Sequence, residues 1–136
     1  AMVIFWGPHA YVSPDWYVSE GLVPTWNYVA VHAYGVPQIV DDIDQVATLL
    51  ADLSAASEQP LAPKPPWTMD RVPAAQRTAL MHGIVAFEIP ITQLEAKQKL
   101  SQNRMPEDVA GVASGLRATG GDYNTTVADL MVKAAR

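Results

Sequence analysis

Apolar and polar positions change period several times along this chain, and each change marks an element. Met2-Val3-Ile4-Phe5-Trp6 is a short apolar run closed by Gly7-Pro8, which predicts a buried strand entering a turn. His9 to Leu22 mixes aromatic residues with Ser13-Pro14-Asp15, Ser19 and Gly21 at no steady period, and reads as an ordered loop. From Val23 to Tyr34 both alternating sets are largely apolar or aromatic. Thr25, Asn27, Val29 and Val31 face one way and Trp26, Tyr28, Ala30, His32 and Tyr34 the other, the pattern of a strand covered on both faces. Gly35 and Pro37 punctuate it, and Gln38-Ile39-Val40 predicts the returning strand of a hairpin.

The period then becomes helical. Ile43, Val46, Ala47, Leu50 and Leu53 recur on one face between Asp42 and Ser57, with Asp42 as N-cap and Gln45 completing a capping box. Five prolines between Gln59 and Pro73 exclude a helix or central strand there and predict a loop or surface arm. Ala74 to His82 reads as a short helix. Ile84 to Leu100 reads as a long strand whose apolar phase slips by one residue near Pro90, a bulge or bend of the kind that curves sheets into barrels. Glu107 to Ala118 is a helix with an acidic first turn, Gly120-Gly121 breaks it, and Val127, Leu130, Met131 and Ala134 give a last amphipathic helix.

With 136 residues, 49% hydrophobic and 17% charged, the composition is that of one folded domain rather than a disordered chain. No apolar run approaches the ~18 residues of a membrane span. The apolar start carries no basic segment or cleavage site and does not read as a signal peptide; a cytoplasmic location is expected from the lack of cysteine. The absence of cysteine excludes a disulfide scaffold, a thiolate metal site and a cysteine nucleophile. Nine basic residues against 14 acidic ones leave a formal charge of −5. That is the opposite of a basic stripe for phosphates, and direct DNA binding by this chain is not expected.

Candidate chemistry is sparse. His9, Ser13 and Asp15 share one stretch, but no Gly-x-Ser-x-Gly elbow presents a serine, and a hydrogen-bonded turn explains them better than a triad. His9, His32 and His82 are scattered without metal-ligand spacing, and His32 reads as a hydrogen-bonded core histidine. Two concentrations remain. Trp6, Tyr11, Trp16, Tyr17, Trp26, Tyr28 and Tyr34 all precede residue 35; they suit a planar ligand or a subunit interface, and equally the core of a small barrel. Lys97 and Lys99 share a face of an extended segment, with Ser101, Gln102, Asn103 and Arg104 beside them. That makes either an anchor for a phosphate or carboxylate, or a solvated strand end.

Three segments in order carry a resemblance: Gly7-Pro8-His9-Ala10-Tyr11-Val12-Ser13-Pro14 with Trp16-Tyr17, then Val23 to Gly35, then Lys99-Leu100-Ser101-Gln102-Asn103-Arg104. Together they resemble the PaiB-type FMN-binding negative transcriptional regulators, across nearly the whole chain. The resemblance implies an α+β fold, mainly β: a flavin-binding split β-barrel related to the pyridoxamine phosphate oxidases, with peripheral and C-terminal helices. It makes 1–136 a single split-barrel-like domain, with strands and aromatic loop at 1–41, a helical and Pro-rich insertion at 42–83, a long strand at 84–104 and helices at 106–136. It implies FMN held at the interface of a homodimer, and repression of sporulation and extracellular protease genes. Relatives usually carry a further N-terminal portion that holds the first barrel strands, which makes Met2–Trp6 an interior strand of a longer, here partial, barrel. Gln98, Trp6 and Asp15 depart from the usual pattern.

The expected flavin contacts are Trp26, Asn27 and Tyr28, near the ring or the dimer partner, and Lys99, Gln102 and Arg104 for polar or phosphate groups. Three functions follow: an FMN-binding regulatory domain without catalysis, a flavin-dependent oxidoreductase, or a dimerisation module that binds no cofactor. No residue compels a reaction, which favours the first, and no catalytic or metal-ligating residue is assigned.

Overall fold

The computed structural model describes residues 1–135. Its elements run β1 (Met2–Val12), β2 (Thr25–Gly35), β3 (Gln38–Val40), α1 (Ile43–Glu58), α2 (Ala74–His82), β4 (Ala86–Glu88), β5 (Ile91–Lys99), α3 (Pro106–Thr119) and α4 (Asp122–Ala134). Single 3-10 turns lie at Pro14–Trp16, Gln59–Leu61 and Met69–Arg71. The fold is mixed α+β with antiparallel sheets that close no barrel among the described residues, in keeping with a partial split barrel. Two compact units divide it: Ala1–Gly35 together with the chain from Ile91 onward, and Val36–Pro90.

The first unit is a three-stranded sheet in the order β1-β2-β5, carrying α3 and α4. Gly7-Pro8 does not end the first strand, as the sequence predicts. Trp6 opposes Ala30 while His9 opposes Tyr28, so one extra residue is absorbed as a bulge and pairing resumes beyond the proline. Among the described residues β1 lies at the edge of this sheet rather than inside it as the resemblance implies for Met2–Trp6, and at an edge the missing proline N–H leaves no ladder bond unmade. The stretch expected as a loop from His9 is therefore strand up to Val12, followed by a 3-10 turn whose first amide, Asp15 N, is capped by Ser13 Oγ at 3.3 Å.

Leu100, Leu116, Met131, Val12, Val112 and Val127 are fully buried where the sheet meets α3 and α4. Burying side chains of this size stabilises by roughly 1.5–3 kcal/mol each. The helices are joined by Gly120 (φ 75°) and Gly121 (φ 90°), a left-handed pair that side chains resist. Outside, Arg117 Nη2 meets Asp129 Oδ1 at 2.7 Å.

In the second unit, β3 pairs with β4 and not with β2, which corrects the predicted hairpin. The long strand expected over 84–100 is broken at Ile89-Pro90, and its halves join different sheets, β4 with β3 and β5 with β2. Proline cannot donate to a ladder, so the phase slip in the sequence becomes a change of partner. α1 begins as expected: Asp42 Oδ1 accepts from Asp44 N at 2.9 Å and Gln45 N at 3.4 Å, and Gln45 Nε2 donates to Asp42 Oδ2 at 3.2 Å. The proline-rich segment is tied back to α1 rather than standing off as an arm. Glu58 accepts from the Lys64 ammonium and from Trp67 N at 2.9 Å. Those bonds, Lys64 first, hold its carboxyl below the usual range. No helix among the described residues is long and apolar enough to cross a membrane.

Candidate functional site

Residues opposite one another in a sheet share a face. The bulge in β1 thus brings His9 beside Tyr28 and Tyr11 beside Trp26, with Trp6 opposite Ala30 on the same side. Trp6, His9, Trp26 and Tyr28 line a hollow of 450 Å³, almost wholly apolar and within the range of small-molecule pockets. Its rings meet at edges: Trp6 and Tyr28 lie 5.7 Å apart at 63°, and Tyr11 and Trp26 lie 5.9 Å apart at 71°. His9 packs between Trp26 at 6.2 Å and Tyr123 of α4 at 4.9 Å. Trp26 and Trp6 remain more than half exposed, at 53% and 63%. Two half-exposed indoles beside this hollow make it the candidate binding face of the first unit.

β5 adds charge to that face. Lys99 opposes Tyr28 and Lys97 opposes Ala30, so both lysines share the aromatic side. The Lys99 ammonium is hydrogen-bonded to Thr25 Oγ1. Further along, Tyr34 donates to Glu95 Oε2 at 3.1 Å, which raises the Tyr34 pKa. His32 is half-buried with its ring 6.4 Å from Tyr34, a position on the sheet face rather than the core one that the sequence predicts.

Asn27 points the other way and is fully buried. Its Nδ2 donates to Ser101 Oγ at 2.9 Å and lies 3.2 Å from Met131 Sδ, while Ser101 Oγ lies 3.3 Å from Asn27 Oδ1. Ser101 has φ of 61°, a left-handed conformation that costs a non-glycine residue about 1 kcal/mol or more. Gln102 closes the same turn, accepting from Leu100 N and donating to Gln98 O, both at 2.8 Å. Arg104 lies 5.6 Å over the Tyr17 ring. Of the six predicted contacts, Trp26, Tyr28 and Lys99 thus lie on the open face, whereas Asn27, Gln102 and Arg104 build the turn and packing beside it.

Beyond that turn lies a clasp that the sequence patterns did not single out. Asp108, 2% exposed, accepts from Val18 N at 2.8 Å, Ser19 N at 2.9 Å and Ser19 Oγ at 2.8 Å. The Ser19 amide leads in holding its carboxyl below the ordinary range, aided by the Ser19 hydroxyl, the Val18 amide and the Arg104 charge, against the opposing effect of burial. Next to it, Trp16 sits on Gly111 and Gly115 of α3, where an added Cβ would overlap its carbonyl and ring. The signal was present as glycines four apart on an amphipathic helix. The Tyr17 hydroxyl is buried without a partner among the described residues.

His9, Ser13 and Asp15 form no triad: Ser13 caps Asp15, and His9 Nδ1 lies 3.2 Å from Gly7 O. Among the described residues no three potential ligands gather to hold a metal.

Comparison with known proteins bears on this face. The family described as "Putative FMN-binding domain" matches residues 1–93, which include every residue lining the hollow. The chain belongs to this FMN-binding family. Over 96% of its length it is 35% identical to the Protease synthase and sporulation protein PAI 2 of Bacillus subtilis, and it covers 61% of that protein. The kinship with PaiB-type proteins expected from the sequence is therefore shown. Uncharacterized proteins of Emericella nidulans and Aspergillus fumigatus are 33% and 30% identical over 96% and 93% of the chain, which covers 57% and 56% of them. The chain thus spans about three-fifths of the curated relatives it matches. Trp26, Asn27 and Tyr28 lie inside the span matched to the FMN-binding family, and Lys99, Gln102 and Arg104 lie beyond it.

Proposed function

We propose that this chain is an FMN-binding regulatory domain that takes flavin on the aromatic face of its first unit, as a homodimer in the cytoplasm. FMN needs a flat apolar surface for its ring and cationic donors for its phosphate. The donor set fits both needs: Trp26 and Tyr28, with Trp6, offer ring surface, and Lys99, with Lys97, offers charge on the same side of the sheet. Asn27, Gln102 and Arg104 act from behind, by holding the Leu100 to Arg104 turn in shape. When bound, the flavin supplies redox chemistry that side chains lack.

The observation that carries this reading is the open 450 Å³ aromatic hollow within the span matched to an FMN-binding family. Titrating FMN with the protein tests it. Flavin emission is expected to be quenched saturably, with half-saturation near or below about 10 μM. Emission unchanged at several times that concentration sinks the reading. Light scattering tests the dimer separately.

A further inference from the structure

The second unit contains a cavity to which the flavin reading assigns no role. It measures 210 Å³ and lies among Leu50 of α1, Trp67 and Met69 of the connecting segment, and Arg77, Leu80 and Met81 of α2. Its walls are apolar except for two polar side chains. Ser54 donates to Leu50 O at 2.7 Å and is satisfied within its own helix. Arg77 is different. Its Nη1 makes one long bond, 3.4 Å, to Met69 O, and no carboxylate lies within 4 Å of it among the described residues. A guanidinium has five N–H donors, so most of this one is uncommitted.

From this cavity we infer that the second unit binds a small carboxylate with a flat apolar body, a monocyclic aromatic acid. Size and charge both point to that class. An apolar protein cavity of about 150 Å³ accommodates benzene, so 210 Å³ suffices for one ring and a carboxylate. The half-buried guanidinium matches a carboxylate bidentately, and Trp67 and the methionines suit the face and edges of a ring. The nearby carboxylate, Asp70, does not fill this role. It makes no ion pair with Arg77 within 4 Å among the described residues. The Thr68 side chain, its own amide and Arg71 lead in holding its carboxyl below the ordinary range, and the Arg77 charge helps after them.

Methionine methyl NMR tests the inference on the whole chain. Met69 and Met81 line the cavity, while Met2, Met105 and Met131 belong to the first unit and serve as internal controls. Titration with benzoate is expected to shift the Met69 and Met81 methyls saturably, with half-saturation at about 1 mM, the range of a fragment. The three control methyls stay in place. Arg77→Gln is expected to weaken binding about tenfold, and benzyl alcohol to bind the unaltered protein about tenfold more weakly than benzoate. Equal binding of the alcohol and the acid overturns the carboxylate assignment even if the variant does not fold. Unmoved Met69 and Met81 signals at about 10 mM benzoate overturn the site. Shifts confined to the control methyls place the acid in the first unit and overturn it too.

Discussion

The indole of Trp16 occupies the space that a side chain at Gly115 would fill. One turn earlier, the Trp16 carbonyl approaches Gly111 in the same way, so α3 presents a bare two-glycine seat to the segment that follows β1. Alanine is the better helix former by about 1 kcal/mol, and on an exposed helix either replacement would stabilise.

Here the sign reverses. A ring can swing aside but a backbone carbonyl cannot, so Gly111→Ala is the more damaging change, expected to destabilise by about 1–3 kcal/mol. Urea unfolding of the two variants checks this; a raised midpoint for Gly111→Ala would show that the seat is not occupied.

Asp108 gives the protein an acid-sensitive clasp. Its folded pKa is depressed, so its stabilisation is complete above the unfolded value of about 3.9 and fades as pH falls through the lower folded value. Asp108→Asn is therefore expected to lower the urea midpoint at pH 7, with the gap to the unaltered protein narrowing below about pH 4. A gap that stays constant from pH 7 to pH 3 contradicts the depressed pKa.

Trp26 and Asn27 are adjacent in sequence yet face opposite ways, and their variants are expected to separate accordingly. Trp26→Ala leaves stability almost unchanged and weakens FMN about tenfold or more, since an exposed ring gives surface to a ligand and little to the core. Asn27→Ala strands the Ser101 hydroxyl and costs about 1–3 kcal/mol of stability, with a smaller effect on FMN. Paired thermal melts and flavin titrations distinguish them, and an inverted pattern would move the site to the other face.

At the start of α1, Asp42→Ala removes the side chain that caps two amides and is expected to cost the second unit about 1 kcal/mol. Far-ultraviolet circular dichroism during urea unfolding provides the measurement. An unchanged transition would mean that this helix end does not limit the unit's stability.

Much of this was legible because it depends on local rules. The Asp42 cap, the helices from Pro106 and Asp122, and the break at Gly120-Gly121 follow from residue types at fixed spacing. The aromatic strand and the lysine pair also stood out, because period two sorts side chains by face wherever a strand lies. What stayed hidden depends on partners distant in sequence. Gly7-Pro8 looks like a stop until an edge position makes a proline tolerable, and that position is set by β2 and β5. Asp108 looks like a helix-dipole residue until Val18 and Ser19 arrive some ninety residues away in sequence. Asn27 is expected beside the flavin from its aromatic neighbours, and its enclosure by Ser101 and Met131 depends on residues far along the chain.

Gly35 and Ile91 face each other across β2 and β5, one at the exit to the second unit and the other at the return from it. The chain therefore leaves and re-enters the first sheet at neighbouring points, as it would through an ordinary hairpin turn. Everything from Val36 to Pro90 is, in construction terms, an ornament on that turn. A short turn in its place would preserve the strand order and the aromatic face, and the same two points would accept a foreign module of unrelated sequence.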